Sequence, residues 1–263
     1  MEKSQHMGMN RTGVDISPML SKEMVKDAQA YSPRAMDGNK GIAALERSYL
    51  QANSSVGSVP MPGTMKGALK SAGQKLAGRN PEVLINKLGE RLAYERTGVR
   101  LYESFIRKCE ARNGSARTPV PMDQLRRICS EEAEHFQLIK ECMEQLGADP
   151  TAQTPDADVS GVAATGFMQV LTDPRTSISQ CLGTLLSVEM TDRAAWELLI
   201  SLCDGAGLDQ MSERFRHALR QEQEHERLVR QWYEDAVISQ TGVGAKSRAS
   251  HSSRASKGGD IAH

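Results

Sequence analysis

The stretch RICSEEAEHFQLIKECMEQL, residues 127–146, holds a glutamate and a histidine three positions apart, Glu132 and His135. Side chains three residues apart lie on the same face of an α-helix, and apolar residues flank this pair at helical spacing. The pattern returns in QEQEHERLVRQWYEDAV, residues 221–237, as Glu222 and His225. Both stretches are therefore predicted to be long helices that present a carboxylate and an imidazole on one apolar face.

A single glutamate interrupts the apolar face of the helical stretch that precedes each motif. Glu95 does so in LAYERTGVRLYESF, residues 92–105, and Glu189 does so in LLSVEMTDRAAWELL, residues 185–199. The chain thus consists of two similar halves, each a glutamate helix followed by a Glu-x-x-His helix. This order predicts an all-α protein whose central part is an antiparallel four-helix bundle.

Proline, glycine and polar clusters set the predicted ends of these helices. The first, second and fourth helices are predicted at about residues 81–111, 122–146 and 209–238. The third begins at residue 173 or a few residues later and ends at residue 203. Short turns join the helices within each half, whereas residues 147–175 form a long crossover between the second and third helices, with a short helix at 161–171.

The two ends of the chain differ in composition from the predicted bundle. Residues 1–80 are rich in Ser, Gly, Met and Pro and are predicted to be a poorly ordered extension, with up to three short helices at 21–30, 42–50 and 64–76. Residues 241–263 are rich in Ser, Gly, Lys and Arg and are predicted to be a disordered basic tail. The predicted bundle domain therefore covers residues 81–240.

Composition excludes several kinds of protein and partner. No apolar run approaches membrane-spanning length and the N-terminus lacks an apolar signal core, so a cytoplasmic protein with no membrane partner is expected. Five cysteines without a C-x-x-C pair argue against a disulfide framework, a zinc knuckle or a rubredoxin-type iron site. No nucleic-acid partner is expected, because the basic stretch of the N-terminal extension lacks interleaved aromatic residues.

The candidate ligands are predicted to meet at one level of the bundle. Antiparallel helices bring together residues that are equally distant from the turn between them. Glu95 and the midpoint of Glu132 and His135 are equally distant from about residue 114. In the second half, Glu189 and the midpoint of Glu222 and His225 are equally distant from about residue 206. Both of these positions fall in predicted turns, so each half places its three ligands at a single level.

Buried carboxylates at one level need compensation, because each buried charge costs several kcal/mol even after relaxation. Two divalent cations would neutralise four carboxylates directly. Mixed carboxylate and imidazole ligands suit iron or manganese better than magnesium, calcium or a closed zinc site. We therefore predict a two-metal site, with iron as the first choice and manganese or a mixed pair as alternatives, formed by Glu95, Glu132, His135, Glu189, Glu222 and His225. The neighbouring glutamates are expected to be solvated, namely Glu131, Glu134, Glu224 and Glu226.

Residues 82–238 resemble the ferritin-like di-iron superfamily, nearest to its rubrerythrin and bacterioferritin branch. The resemblance rests on the two Glu-x-x-His motifs, on Glu189, and on Glu95 with Tyr102 seven residues later. It implies that Glu132 and Glu222 bridge two metals. It further implies that each histidine binds one metal, and that the remaining two glutamates complete the two coordination spheres.

The resemblance also gives roles to residues around the ligands. Tyr102 is expected to hydrogen-bond a ligand carboxylate, and Trp196, which can donate but not accept a hydrogen bond, has the matching place in the second half. Asp192, one turn after Glu189, has two interpretations. It is either an additional carboxylate of the kind that rubrerythrins use when iron changes ligand, or the partner of a nearby arginine such as Arg193 or Arg96.

The function that the resemblance implies is an oxidoreductase that reduces hydrogen peroxide or dioxygen at a carboxylate-bridged two-metal centre. Such an enzyme would need an external electron donor, because the chain lacks a rubredoxin-like cysteine cluster. The alternatives are a ferroxidase or iron-storage protein, a non-catalytic four-helix module, and an oxygenase that acts on an organic substrate. A homodimer or higher homo-oligomer is expected.

Overall fold

The computed structural model describes residues 18–31, 35–52, 56–60, 80–112 and 120–241, and all regular secondary structure in these ranges is α-helix. This confirms the predicted all-α class. The chain divides into two compact units, one up to Gly57 and one from Ser58 onward. The helices are α1 (Pro18–Tyr31), α2 (Ala35–Ala52), α3 (Pro81–Arg112), α4 (Met122–Leu146), α5 (Pro155–Thr172), α6 (Ile178–Ala206) and α7 (Asp209–Gln240).

The first unit contains α1 and α2, which overlap the helices predicted at 21–30 and 42–50 and are longer than predicted. Part of the extension that was expected to be poorly ordered is therefore helical. The predicted helix at 64–76 and the predicted disorder after residue 241 lie outside the described residues. The predicted domain boundary at residue 80 borders residues 61–79, which are also outside them, and stays a prediction.

Of the four long helices of the second unit, α3, α4 and α7 end within two residues of the predicted ends, whereas α6 runs to Ala206, past the predicted end at residue 203. Local signals account for several of the helix ends. Gly147 and Gly207 follow α4 and α6 with φ of 79° and 69°, a left-handed conformation that ends a helix and favours glycine. Before α6, the side chain of Ser177 accepts a hydrogen bond from the backbone N–H of Gln180. This cap places the start of α6 at Ile178.

The crossover helix α5 is longer than the predicted segment at 161–171. It starts at Pro155. Proline is favoured at this position, because the backbone N–H that it lacks would have no partner in the first helical turn. The side chain of Thr154 accepts a hydrogen bond from Ala157 N, and the acidic residues Asp156 and Asp158 lie in the first turn, where negative charge is favoured.

Contacts between neighbouring helices fix their directions. Arg126 of α4 pairs with Glu110 near the end of α3, whereas the middle of α4 faces the middle of α3, so the two helices are antiparallel. Contacts of the same kind make α6 antiparallel to both α3 and α7, and α7 antiparallel to α4. Since α4 and α6 then run in the same direction, the chain between them must cross the length of the bundle. At 1.5 Å per residue, α5 spans about 27 Å of that distance and packs on α3 and α6.

Two apolar clusters fill the bundle, one on each side of a buried polar layer. One cluster includes Phe105, Ile128, Leu182 and Val229, and the other includes Leu88, Ile139, Leu199 and Phe215. The residues between them along each helix are the polar exceptions of the sequence pattern. Among the described helices, none combines the length and the apolar character that a membrane span requires.

Candidate metal centre

The polar layer contains all six predicted ligands at one level, contributed by the four long helices. Every one of them is at most 2% exposed: Glu95 from α3, Glu132 and His135 from α4, Glu189 from α6, and Glu222 and His225 from α7. The structure therefore brings together every residue that the sequence placed in the metal site.

Their ligand atoms converge in two overlapping groups. Glu95, Glu132, His135 and Glu222 form one group, in which one ligand atom from each residue lies within 4.8 Å of the others. Glu132, Glu189, Glu222 and His225 form the other group, to the same limit. The groups share the two glutamates of the Glu-x-x-His motifs, and each adds one further glutamate and one histidine. Each group could hold a metal ion.

Both imidazole rings direct Nδ1 toward the carboxylates. His135 Nδ1 lies 2.6 Å from Glu222 Oε1 and 3.8 Å from Glu95 Oε2. His225 Nδ1 lies 3.3 Å from Glu132 Oε1, 3.4 Å from Glu222 Oε2 and 3.8 Å from Glu189 Oε2. One nitrogen of each ring is thus a member of the converging set of ligand atoms.

Many of these atoms lack hydrogen bonds although they are buried. Both carboxylate oxygens of Glu95 and Glu222, Oε2 of Glu189, and Nδ1 of both histidines have no hydrogen-bond partner among the described residues. Buried polar atoms are almost always hydrogen-bonded, so such a group requires an explanation. Arg91 Nε, 3.0 Å from Glu95 Oε1, and a protonated His135 Nδ1, 2.6 Å from Glu222 Oε1, can meet part of this demand for hydrogen bonds. The ligand atoms nevertheless converge on two common centres, and the residues present therefore fit a metal.

The other nitrogen of each histidine has an outer partner. His225 Nε2 lies 2.7 Å from Glu131 Oε2, and His135 Nε2 lies 3.1 Å from Gln221 Oε1. Partners of this kind fix the ring orientation of a metal-binding histidine. The expectation that Glu131 is merely solvated is wrong, because it is half-buried and accepts a hydrogen bond from a candidate ligand.

Tyr102 has the expected contact, since its hydroxyl donates a hydrogen bond to Glu189 Oε1. Trp196 is fully buried, but its Nε1 has no hydrogen-bond partner among the described residues. Its ring instead makes an edge contact with the His135 ring, with centroids 5.4 Å apart. Trp196 therefore supports the centre by packing.

Arg91 is a part of the centre that the sequence analysis missed. It is 2% exposed, and its Nε lies 3.0 Å from Glu95 Oε1 while its Nη1 lies 2.9 Å from Asp192 Oδ1. Asp192 is equally buried and belongs to neither group of converging atoms found among the described residues. Its arginine partner is thus Arg91, not Arg193 or Arg96. The one signal in the sequence was the position of Arg91, one helical turn before Glu95.

Burial and charge together determine where the layer holds protons. Burial raises the pKa of Glu95, Glu189 and Asp192 well above the usual range of a carboxyl, and neighbouring carboxylates add to the effect. Burial alone would lower the pKa of both histidines, but the facing carboxylates outweigh it and raise both values. The layer without metal therefore takes up protons, which a bound cation would displace.

A cavity of about 270 Å³ lies between α3, α5 and α6 next to this layer. Its lining includes Arg91 and Tyr94 of α3, Phe167 of α5 and Leu199 of α6. Arg91 thus both lines the cavity and contacts Glu95 and Asp192.

Comparisons of the chain with protein-family models, with curated proteins and with solved structures found no match.

Proposed function

We propose that this protein is a ferritin-like di-iron oxidoreductase that reduces hydrogen peroxide or dioxygen with electrons from an external donor. The observation that carries the proposal is the sharing of Glu132 and Glu222 between two four-residue ligand groups. Two groups that share two carboxylates would suit a carboxylate-bridged pair of metals. A single ion held by one group would leave the remaining glutamate and histidine of the other group without a metal.

Charge balance supports two divalent ions. Arg91 is shared between Asp192 and Glu95, so its single positive charge leaves the five buried carboxylates of the layer with a net of four negative charges when all are ionised. Two divalent cations cancel that charge, whereas one cation would leave buried carboxylates that must remain protonated. The mixture of carboxylate oxygen and imidazole nitrogen favours iron or manganese over magnesium or calcium.

The helix arrangement supports the ferritin-like assignment. Two antiparallel pairs with a crossover along the length of the bundle, and one glutamate helix and one Glu-x-x-His helix in each pair, match the di-iron carboxylate bundles. The contacts that fix these directions are independent of the ligand motif, because several of them lie at the ends of the helices.

Two ferrous ions side by side would supply two electrons together, the number needed to reduce one hydrogen peroxide to two waters with two protons. The residues of this chain would orient the ligands and exclude water. Tyr102 fixes one oxygen of Glu189, Glu131 and Gln221 orient the two imidazoles, and the apolar clusters on both sides keep the layer out of solvent.

The direct test is anaerobic loading with Fe(II), followed by counting of the bound iron. The Glu132→Ala/Glu222→Ala variant should bind fewer than two irons per chain. The matched control, Glu134→Ala/Glu234→Ala, removes two exposed glutamates from the same two helices and should bind two irons, like the parent. Equal iron content in all three proteins would refute the proposed centre.

Mixing the loaded parent separately with hydrogen peroxide and with dioxygen then distinguishes the two main functions. Fast oxidation by peroxide, with the iron retained and recycled by an added reductant, supports the oxidoreductase. Release or mineralisation of ferric iron after reaction with dioxygen would support the ferroxidase or storage alternative instead.

The cavity beside Arg91 favours a second candidate function, the oxygenation of a small organic substrate. At about 270 Å³ and with a largely apolar lining, it has room for a compound the size of phenol, since a 150 Å³ apolar cavity accommodates benzene. Dioxygen consumption by the reduced protein that rises when phenol is added, together with a hydroxylated product, would favour this function.

A further inference from the structure

The ligands of the two halves match, but their surroundings do not. Four residues before Glu95 stands Arg91, whereas four residues before Glu189 stands Leu185. One residue before Glu132 stands Glu131, whereas one residue before Glu222 stands Gln221. Each of these differences places a charge next to one ligand group and a neutral side chain next to the other.

The group of Glu189 and His225 has an anionic outer partner. His225 Nε2 lies 2.7 Å from the carboxylate of Glu131, while His135 Nε2 lies 3.1 Å from the neutral amide of Gln221. A carboxylate that accepts the outer N–H of an imidazole makes the inner nitrogen a stronger donor to a metal. His225 should therefore bind a cation more strongly than His135 does.

The group of Glu95 and His135 has a fixed cation beside it. Arg91 Nε lies 3.0 Å from Glu95 Oε1, and both side chains are at most 2% exposed. The guanidinium competes with a metal for this carboxylate, and water screens the competition only weakly in a buried layer. At the other group, Glu189 receives its hydrogen bond from the neutral hydroxyl of Tyr102.

We infer that the two metal positions bind unequally, an inference that rests on the proposed two-metal function. The position formed with Glu189 and His225 fills first and holds its metal tightly. The position formed with Glu95 and His135 is weaker and exchangeable. Glu131 and Arg91 act through the ligands as positioning residues that set this order. At limiting metal the chain holds one ion, and the two-electron chemistry begins only when the second ion arrives.

The first test is an anaerobic calorimetric titration of the metal-free chain of residues 1–263 with Mn(II). Two binding steps that differ at least about tenfold in affinity are expected, in line with the effect of outer partners on metal sites. Anomalous diffraction from crystals grown with one equivalent of Mn(II) should show that ion beside His225. Two ions bound with one affinity, or a first ion beside His135, would overturn the inference.

The second test changes the affinity of the first binding step alone. Glu131→Gln keeps the shape of the side chain and should weaken the first step about 10- to 100-fold, leaving the second unchanged. Its matched control, Glu134→Gln, changes an exposed glutamate on the same helix and should alter neither step. Weakening of the second step alone by Glu131→Gln, or no effect on either step, would contradict the assignment.

The third test removes the competing cation. Arg91→Met combined with Asp192→Asn deletes both members of this buried pair at once, so that Asp192 is not left as a buried charge without its partner. The second step should tighten toward the first, and an unchanged ratio between the steps would exclude the role of Arg91. If circular dichroism shows that this variant does not fold, the inference is still tested by the titration of the parent, the diffraction experiment and the Glu131→Gln variant. Failure of the parent to bind any metal would instead refute the proposed function.

Discussion

Gly98 leaves the space that the carboxylate of Glu132 occupies. It lies in α3 one turn after Glu95, at the position that matches Asp192 in the second half of the chain. A Cβ atom added at Gly98 would lie 3.2 Å from Glu132 Cδ and closer still to its Oε2, inside the 3.0 Å that real Cβ atoms respect. The end of the Glu132 side chain would therefore have to move in a Gly98→Ala variant.

The required movement is large on the scale of metal coordination. Ordinary contact begins at 3.4 Å, so the carboxylate must shift by at least several tenths of an ångström, whereas ligand distances hold to within about 0.2 Å. Because Glu132 belongs to both ligand groups, both metals should be affected. We expect an affinity loss of about 10- to 100-fold, or about 1.4 to 2.8 kcal/mol for each metal.

The fold should tolerate the same substitution. Alanine is favoured over glycine in a helix interior by about 1 kcal/mol, and the crowding costs about 1–3 kcal/mol. The two effects largely cancel, so the free energy of unfolding of the metal-free variant should change by less than about 2 kcal/mol. Gly98→Ala should thus separate metal binding from folding.

The assay is a metal titration of each protein beside urea unfolding of its metal-free form. Gly166→Ala is the matched control, because Gly166 is an exposed helical glycine of α5 and no described atom lies within 4 Å of its added Cβ. It should gain up to about 1 kcal/mol of stability and bind two metals like the parent. Two metals bound by Gly98→Ala with the parent's affinity would refute the bridging position of Glu132.

Three further predictions follow from the same geometry. The metal-free protein should lose stability in urea unfolding as the pH rises from about 5 to 8. The pKa values of buried carboxyls and of His225 are raised, so the folded state binds more protons in this range than the unfolded state does. A gain in stability over this range would contradict the prediction. A chain of residues 79–240 should remain helical by circular dichroism and bind two metals, because all six ligands lie within it, and loss of binding in that folded chain would show that an end segment contributes. Asp192→Asn should retain two metals, because Asp192 pairs with Arg91; a metal count of one per chain would make it a ligand.

The parts of the fold that the sequence predicted depend on local signals. Proline at the start of α3, and glycine after α4 and α6, set helix ends by backbone chemistry that does not depend on the rest of the molecule. The six ligands were also predictable from the sequence, because a charged residue in an apolar helical face is buried and needs an opposite charge or a metal nearby. The equal distances from each turn then placed them at one level.

The contacts around the ligands were not predictable in this way. Glu131 and Glu132 are neighbours of the same type, and only the rotation of α4 against α7 makes one of them a member of both ligand groups and the other the partner of His225 Nε2. One of the two interpretations of Asp192 paired it with a nearby arginine such as Arg193 or Arg96. Arg193 instead contacts Glu197 and Glu226, on the exposed side of α6.

The burial of Arg91 and the underestimated length of α5 have one cause. Arg91 lies beside the row of Leu88, Leu92 and Glu95 that forms the inward face of α3, not on it. The crossover helix packs along α3 and α6, and the cavity that Arg91 lines has residues of α5 as its opposite wall. Once α5 covers this side, the guanidinium has lost its water and needs carboxylates nearby, which Glu95 and Asp192 provide at 3.0 and 2.9 Å. Because the crossover was taken to be mostly loop, the sequence analysis did not predict that Arg91 is buried.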